Sequence, residues 1–172
     1  MWPDRSGKLI YTTEWFSNKL TAFNRDTGKW VRSIEVGDAP AHVMTRVDTD
    51  QIHVGINGED HVTELSPKAT KIDRKIKVQR AGEKQAQPHA HGMSSTGKIM
   101  VTPNSNTDDS TQIDVPSGKI VRKPYTGHLP IASWVHPNGK TFYTSNFLEG
   151  TVDCVSTTRK PASSSSSPAA RR

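Results

Sequence analysis

The feature that most constrains this chain is that it repeats itself. Residues 7 to 46 align without a gap on residues 97 to 136, an offset of 90 that pairs Gly7-Lys8 with Gly97-Lys98, Thr12 with Thr102 and Gly28-Lys29 with Gly118-Lys119. The match continues through Val31-Arg32 on Val121-Arg122, Gly37 on Gly127 and Pro40 on Pro130. A second ungapped comparison, at an offset of 132, places Gly7-Lys8, Tyr11-Thr12 and Leu20 on Gly139-Lys140, Tyr143-Thr144 and Val152, with Trp15 on Phe147. Between them lies a weaker copy, Gln51 to Ser95, in which Ile52, Val54 and Ile56 alternate and Pro88 takes the place of Pro40 and Pro130. Successive copies therefore start 42, 48 and 42 residues apart.

Each unit reads as short strands between polar turns: Leu9 to Glu14, Lys19 to Asn24, Trp30 to Val36, then Ala41 to Val47. In Ile99 and Val101, and in Phe142 and Thr144, side chains alternate between faces as half-buried strands require. Arg25-Asp26-Thr27-Gly28 and Val115-Pro116-Ser117-Gly118 end in the residue that most easily takes a positive φ. Long helices are excluded by 12 Gly and 11 Pro in turn-like settings. With only 32% hydrophobic residues, the core must be thin and spread along the array. Units of four strands at a period of roughly 40 to 50 residues are the mark of propeller blades, so the expected fold is an all-β, β-propeller-type stack of antiparallel sheets.

Three blocks, "SGKLIYTTE" (6 to 14), "STGKIMVTPN" (95 to 104) and "HPNGKTFYTSN" (136 to 146), resemble the P-D-G-K-x-[LI]-Y-V-[TA]-N repeat of YVTN β-propellers. "GDAPAHVMTR" and "TGHLPIASWVHP" are similar to that family's G-x-x-P-x-x-[VI]-x-x-[ST]-P stretch, and the resemblance covers Trp2 to Ser156. It implies blades near 7–36, 39–79, 87–124 and 129–156 within a partial propeller spanning 1–156. Complete members of the family usually close seven blades into a ring. Here fourteen candidate strands fall three, four, four and three per blade, so the first blade is expected to lack its innermost strand and the last its outermost one. Residues 157–172, "TTRKPASSSSSPAARR", carry no apolar periodicity and are expected to be disordered.

The formal charge of +6 invites a nucleic-acid reading, but Lys8, Lys29, Lys98, Lys119 and Lys140 are scattered through turns and outer strands. Only Lys71, Arg74, Lys75 and Lys77 cluster outside the tail, so nucleic acid is not the expected partner. One cysteine, Cys154, cannot close an internal disulfide, and its alignment with Ala22 reads as a small strand residue. No stretch approaches the roughly 18 apolar residues of a membrane span. The N-terminus lacks a charged-then-apolar leader, while the family resemblance implies a periplasmic or extracellular setting.

In propellers the segments leading into the innermost strands form a funnel where ligands bind. Here they are Asp38 to His42, Gln87 to Gly92 and His128 to Ser133, and they hold His42, His89, His91 and His128. His89 and His91 are two apart, so an extended chain projects both from one face as a bidentate imidazole pair. "QPHAHG" is similar to the His-rich inner strands of copper propellers such as nitrous oxide reductases and thiocyanate dehydrogenases. That resemblance implies copper on His89 and His91, with His42 and His128 as additions. H-x-H alone is a weak motif, and exposed, hydrogen-bonded histidines are the plainer reading. His53, His61 and His136 read as structural or exposed. Glu14, Asn57, Asn104 and Asn146 occupy equivalent strand ends as turn-capping residues, and Asp108-Asp109 lacks the spacing of a calcium loop. No catalytic set is expected of this chain alone. Three readings stay open: a non-catalytic module binding a protein or small molecule, a piece of a copper oxidoreductase, and a homodimer or missing blades completing the ring.

Overall fold

The computed structural model describes residues 1–158 and 167–168. It is built almost entirely of antiparallel strands, arranged as four sheets in which each strand pairs with its neighbour in sequence. The chain divides into two compact units, Met1–Pro88 and His89–Arg172.

In the first unit, the first sheet holds β1 (Trp2–Pro3), β2 (Leu9–Glu14), β3 (Lys19–Asn24) and β4 (Trp30–Glu35). The second holds β5 (Pro40–Thr45), β6 (Ile52–Ile56), β7 (His61–Leu65) and β8 (Ile72–Lys77), with a 3₁₀ turn at Pro67–Ala69. The two sheets pack face to face. Tyr11, Leu20 and Ala22 of the first bury against Val43, Ile52, Val54, Ile56 and Leu65 of the second, with Trp2, Leu9, Val31 and Ile34 at the margin.

The second unit repeats the arrangement. The third sheet contains β9 (Gly92–Met93), β10 (Ile99–Asn104), β11 (Asp109–Asp114) and β12 (Lys119–Arg122). The fourth contains β13 (Pro130–Val135), β14 (Thr141–Asn146), β15 (Thr151–Ser156) and the two-residue β16 (Ser167–Pro168). Val101 packs with Val135 and Phe142 between them, flanked by Ile99 and Val155. The Arg122 guanidinium lies 5.9 Å above the Phe142 ring, a cation–π contact across the sheets.

The repeat seen in sequence is a repeat of geometry. Gly7, Gly97 and Gly139 have φ of 68°, 69° and 67°. Each donates its N–H to the carbonyl three residues back, in Asp4, Ser94 and His136, at 3.0, 2.9 and 2.8 Å. This is one turn made three times, and it needs a residue without a Cβ penalty at its last position. A register shift falls at the same place in the third strand of three sheets: Ala22/Phe23, Glu64/Leu65 and Gln112/Ile113.

Two expectations are corrected. The first sheet does have an innermost strand, because Trp2 and Pro3 pair with Tyr11 and Ile10 ahead of the predicted boundary at residue 7. It escapes sequence reading because two residues show no alternation. The fourth sheet likewise has an outermost strand, because β16, in the segment 157–172 expected to be disordered, pairs with β15 through Thr151↔Pro168 and Val152↔Ser167. Residues 159–166 and 169–172 of that segment lie outside the described residues.

Candidate functional site

The segments leading into the innermost strands are held by side chains from the preceding turns. Asn18, Asp60 and Asp108 are repeat equivalents, 42 and 48 residues apart. Asn18 Oδ1 accepts the Ala39 N–H at 3.1 Å, Asp60 Oδ1 that of Ala86 at 2.6 Å, and Asp108 Oδ1 that of Leu129 at 3.0 Å. Ala39, Gln87 and Leu129, each followed by proline, sit at φ of 47°, 56° and 50°. Few L-residues adopt that conformation without support, and the clamping side chains hold Ala39 and Leu129 directly and Ala86 just ahead of Gln87.

The histidines predicted to ligate metal take separate roles in this framework. In the first unit, His42 stands beside the β5 register shift with its ring edge-on to Trp2, centroids 6.3 Å apart. In the second unit, His89 donates from Nδ1 to the Ile131 carbonyl at 2.9 Å. Burial pushes its pKa down, and the hydrogen bond to Ile131 only partly opposes this. His91 is 1% exposed, just ahead of β9. His128 is exposed and donates from Nδ1 to Asp108 Oδ2 at 2.9 Å, with Glu149 Oε1 3.8 Å from Nε2. The Asp108 hydrogen bond and charge hold its pKa above the ordinary histidine value. An imidazole pair from one strand needs further donors to hold copper. Among the described residues no three His, Cys, Asp or Glu side chains gather into such a group.

The histidines read as structural are placed in hydrogen-bonded settings. His53 Nε2 meets Glu64 Oε2 at 2.8 Å inside the second sheet. His61 lies 3.3 Å from Glu59 and 3.1 Å from the Thr63 hydroxyl. His136 Nδ1 accepts the Asn138 N–H at 3.2 Å, closing the turn before Gly139.

Sequence reasoning did not reach a cross-strand row that recurs from sheet to sheet. It runs Tyr11, Ala22, Arg32 in the first sheet, His53, Glu64, Arg74 in the second and Val101, Gln112, Arg122 in the third. In the fourth it begins Tyr143, Cys154. The recurrence of arginine at 32, 74 and 122 was available as a signal, at the repeat spacing of 42 and 48 residues.

The row lies on the face that the first sheet turns to the second and the third to the fourth. In the fourth sheet the same face is open. Trp134, Tyr143 and Val152, the counterparts of Trp2, Tyr11 and Leu20, are 50%, 37% and 42% exposed. They line a shallow cavity of about 280 Å³ with Ala132, Ser133 and Ser145.

No protein-family model matches the chain, and no curated protein matches it by sequence. Solved structures do. The hydrazine synthase of Kuenenia stuttgartiensis superposes with a TM-score of 0.78 at 17% identity, over 91% of this chain and 50% of that one. A streptogramin B lyase gives 0.74 at 14% identity, over 98% and 53%; the virginiamycin B lyase of Staphylococcus aureus gives 0.76 at 13%, over 96% and 53%. The fold is that of a β-propeller. At these identities the likeness shows architecture alone, and the chain spans about half the length of these three structures. The four sheets are blades of this fold.

Proposed function

We propose that this chain is a non-catalytic β-propeller binding module whose partner surface is the open face of its fourth blade, and that the partner is a blade of the same repeat on a second copy. The exposed row Trp134, Tyr143 and Val152 carries the reading. Its counterparts Tyr11 and Leu20 are wholly buried against the second sheet, so a second packed sheet is what this pattern of side chains accommodates. The first sheet offers the complementary surface on its other side. Ile10 and Phe23, paired across β2 and β3, are half-buried equivalents of Ile52 and Leu65, which fill that role in the second sheet. The similarity to YVTN repeats fits the same reading, since that architecture serves many activities and specifies none. In the turns before the lead-in segments, Asp60 and Asp108 are engaged in fixing backbone, which fits a binding scaffold.

Light scattering across a concentration series tests this. Wild type should pass from monomer to a defined dimer, with exposed Cys154 becoming protected from a thiol reagent as it does so. Trp134→Lys with Tyr143→Lys should stay monomeric with Cys154 reactive. A wild type that remains monomeric, or a variant that dimerises equally, overturns the reading. Copper(II) titration provides a separate arm: stoichiometric binding abolished by His89→Ala and His91→Ala would return the copper alternative instead.

A further inference from the structure

The recurring row contains one arginine whose acceptor is missing. In the second sheet the Arg74 guanidinium meets the Glu64 carboxylate through Nε and Nη2 at 2.9 and 2.8 Å. In the third, Arg122 Nε donates to Gln112 Oε1 at 2.8 Å. In the first, the residue opposite Arg32 is Ala22. The Arg32 Nε is buried and finds no hydrogen-bond partner among the described residues. A buried guanidinium N–H without an acceptor is costly, because the charge gives up water and receives nothing in exchange.

Arg32 lines a cavity of about 530 Å³ together with Lys8 and Lys68, whose ammonium groups add to its positive charge. Leu9 and Val31 give it an apolar wall. Its one carboxylate, Asp4, is already engaged: Oδ2 accepts from the Ser6 hydroxyl at 2.6 Å and Oδ1 from the Leu9 N–H at 2.9 Å. Three cations therefore face one spoken-for anion.

We infer that this cavity between the first two sheets is a binding site for a small organic carboxylate, with Arg32 gripping the carboxylate, Lys8 and Lys68 adding charge, and Leu9 and Val31 receiving the apolar body. The second sheet shows the intended pairing within the chain itself, since a guanidinium at this row position takes a carboxylate in two-point contact. The ligand would supply from outside what Glu64 supplies from within.

Calorimetric titration of the full chain with benzoate, alongside its neutral isostere benzamide, tests the site. Saturable one-site binding of benzoate and none of benzamide is expected. Arg32→Gln should weaken benzoate by about tenfold or more, the loss of a charged hydrogen-bond pair. Ala22→Glu is the decisive variant, because it keeps every cation and installs the carboxylate found in the second sheet. It should abolish benzoate binding in a chain whose circular dichroism and cooperative unfolding still match wild type, the control needed because Ala22 is wholly buried. Benzoate binding left unchanged by Ala22→Glu or by Arg32→Gln, benzamide binding equal to benzoate, or no saturable uptake by wild type would each overturn the inference.

Discussion

Glu64 and Arg74 face each other across β7 and β8 through two parallel hydrogen bonds, and the same carboxylate receives His53 from β6 at 2.8 Å. Three strands of the second sheet are thus tied by one side chain that is 2% exposed. Burial alone would raise the Glu64 pKa, but the hydrogen bonds from His53 and Arg74, with their charges, outweigh it and hold the group at about 2.

This arrangement sets an acid limit on stability. A carboxyl whose folded pKa lies below its unfolded value contributes fully above the unfolded value, near 4.5, and loses that contribution as pH falls through about 2. Urea unfolding as a function of pH should show stability declining below pH 4.5 in wild type. Glu64→Gln should flatten that decline. Glu64→Ala should cost about 3 kcal/mol near neutral pH by removing the buried carboxylate that His53 and Arg74 share.

A second prediction concerns close packing in the other unit. A Cβ added at Gly92 would stand 2.5 Å from the Ser133 carbonyl oxygen and 2.7 Å from the Trp134 Cα. Both neighbours are backbone and cannot swing aside, so Gly92→Ala must push β9 away from β13. A loss of about 2 kcal/mol or more in chemical denaturation is expected, whereas Gly150→Ala, with open space around its Cβ, should be limited to the cost of its φ of 64°.

The third prediction is read by NMR titration of the histidine side chains. His128 should titrate above the ordinary histidine value because of its hydrogen bond and charge pairing with Asp108, and His89 below it because of burial. The His128 pairing contributes below pH 6.5 and is lost as pH rises through its raised pKa. The His89 contribution has the opposite sense, being complete above pH 6.5 and lost as pH falls through the lowered pKa. In Asp108→Asn the His128 value should fall toward that of an exposed histidine, and His89 should not move.

Much of the architecture was legible in the chain, and for local reasons. β2 and β3 fall at Leu9–Glu14 and Lys19–Asn24 as the alternation predicted, and the turn glycines 7, 97 and 139 share one conformation. Strand β1 was missed because a two-residue strand has no period to read, and Trp2 declares its role only through its pairing with Tyr11. The candidate site was less accessible. Spacing singled out His42, His89, His91 and His128, but spacing cannot say that His89 is held by the Ile131 carbonyl or that His128 is held by Asp108.

Repetition, strand boundaries and turn chemistry are written residue by residue, because backbone preference and side-chain alternation act over a few positions. The fate of each face is not written that way. Tyr11 and Tyr143 occupy the same place in the same motif, yet one is wholly buried and the other open. Arg32, Arg74 and Arg122 are likewise one residue three times, and only pairing across strands leaves Ala22 opposite the first, Glu64 opposite the second and Gln112 opposite the third. Burial and charge compensation depend on what a folded neighbour brings within a few ångströms, and that neighbour lies tens of residues away along the chain.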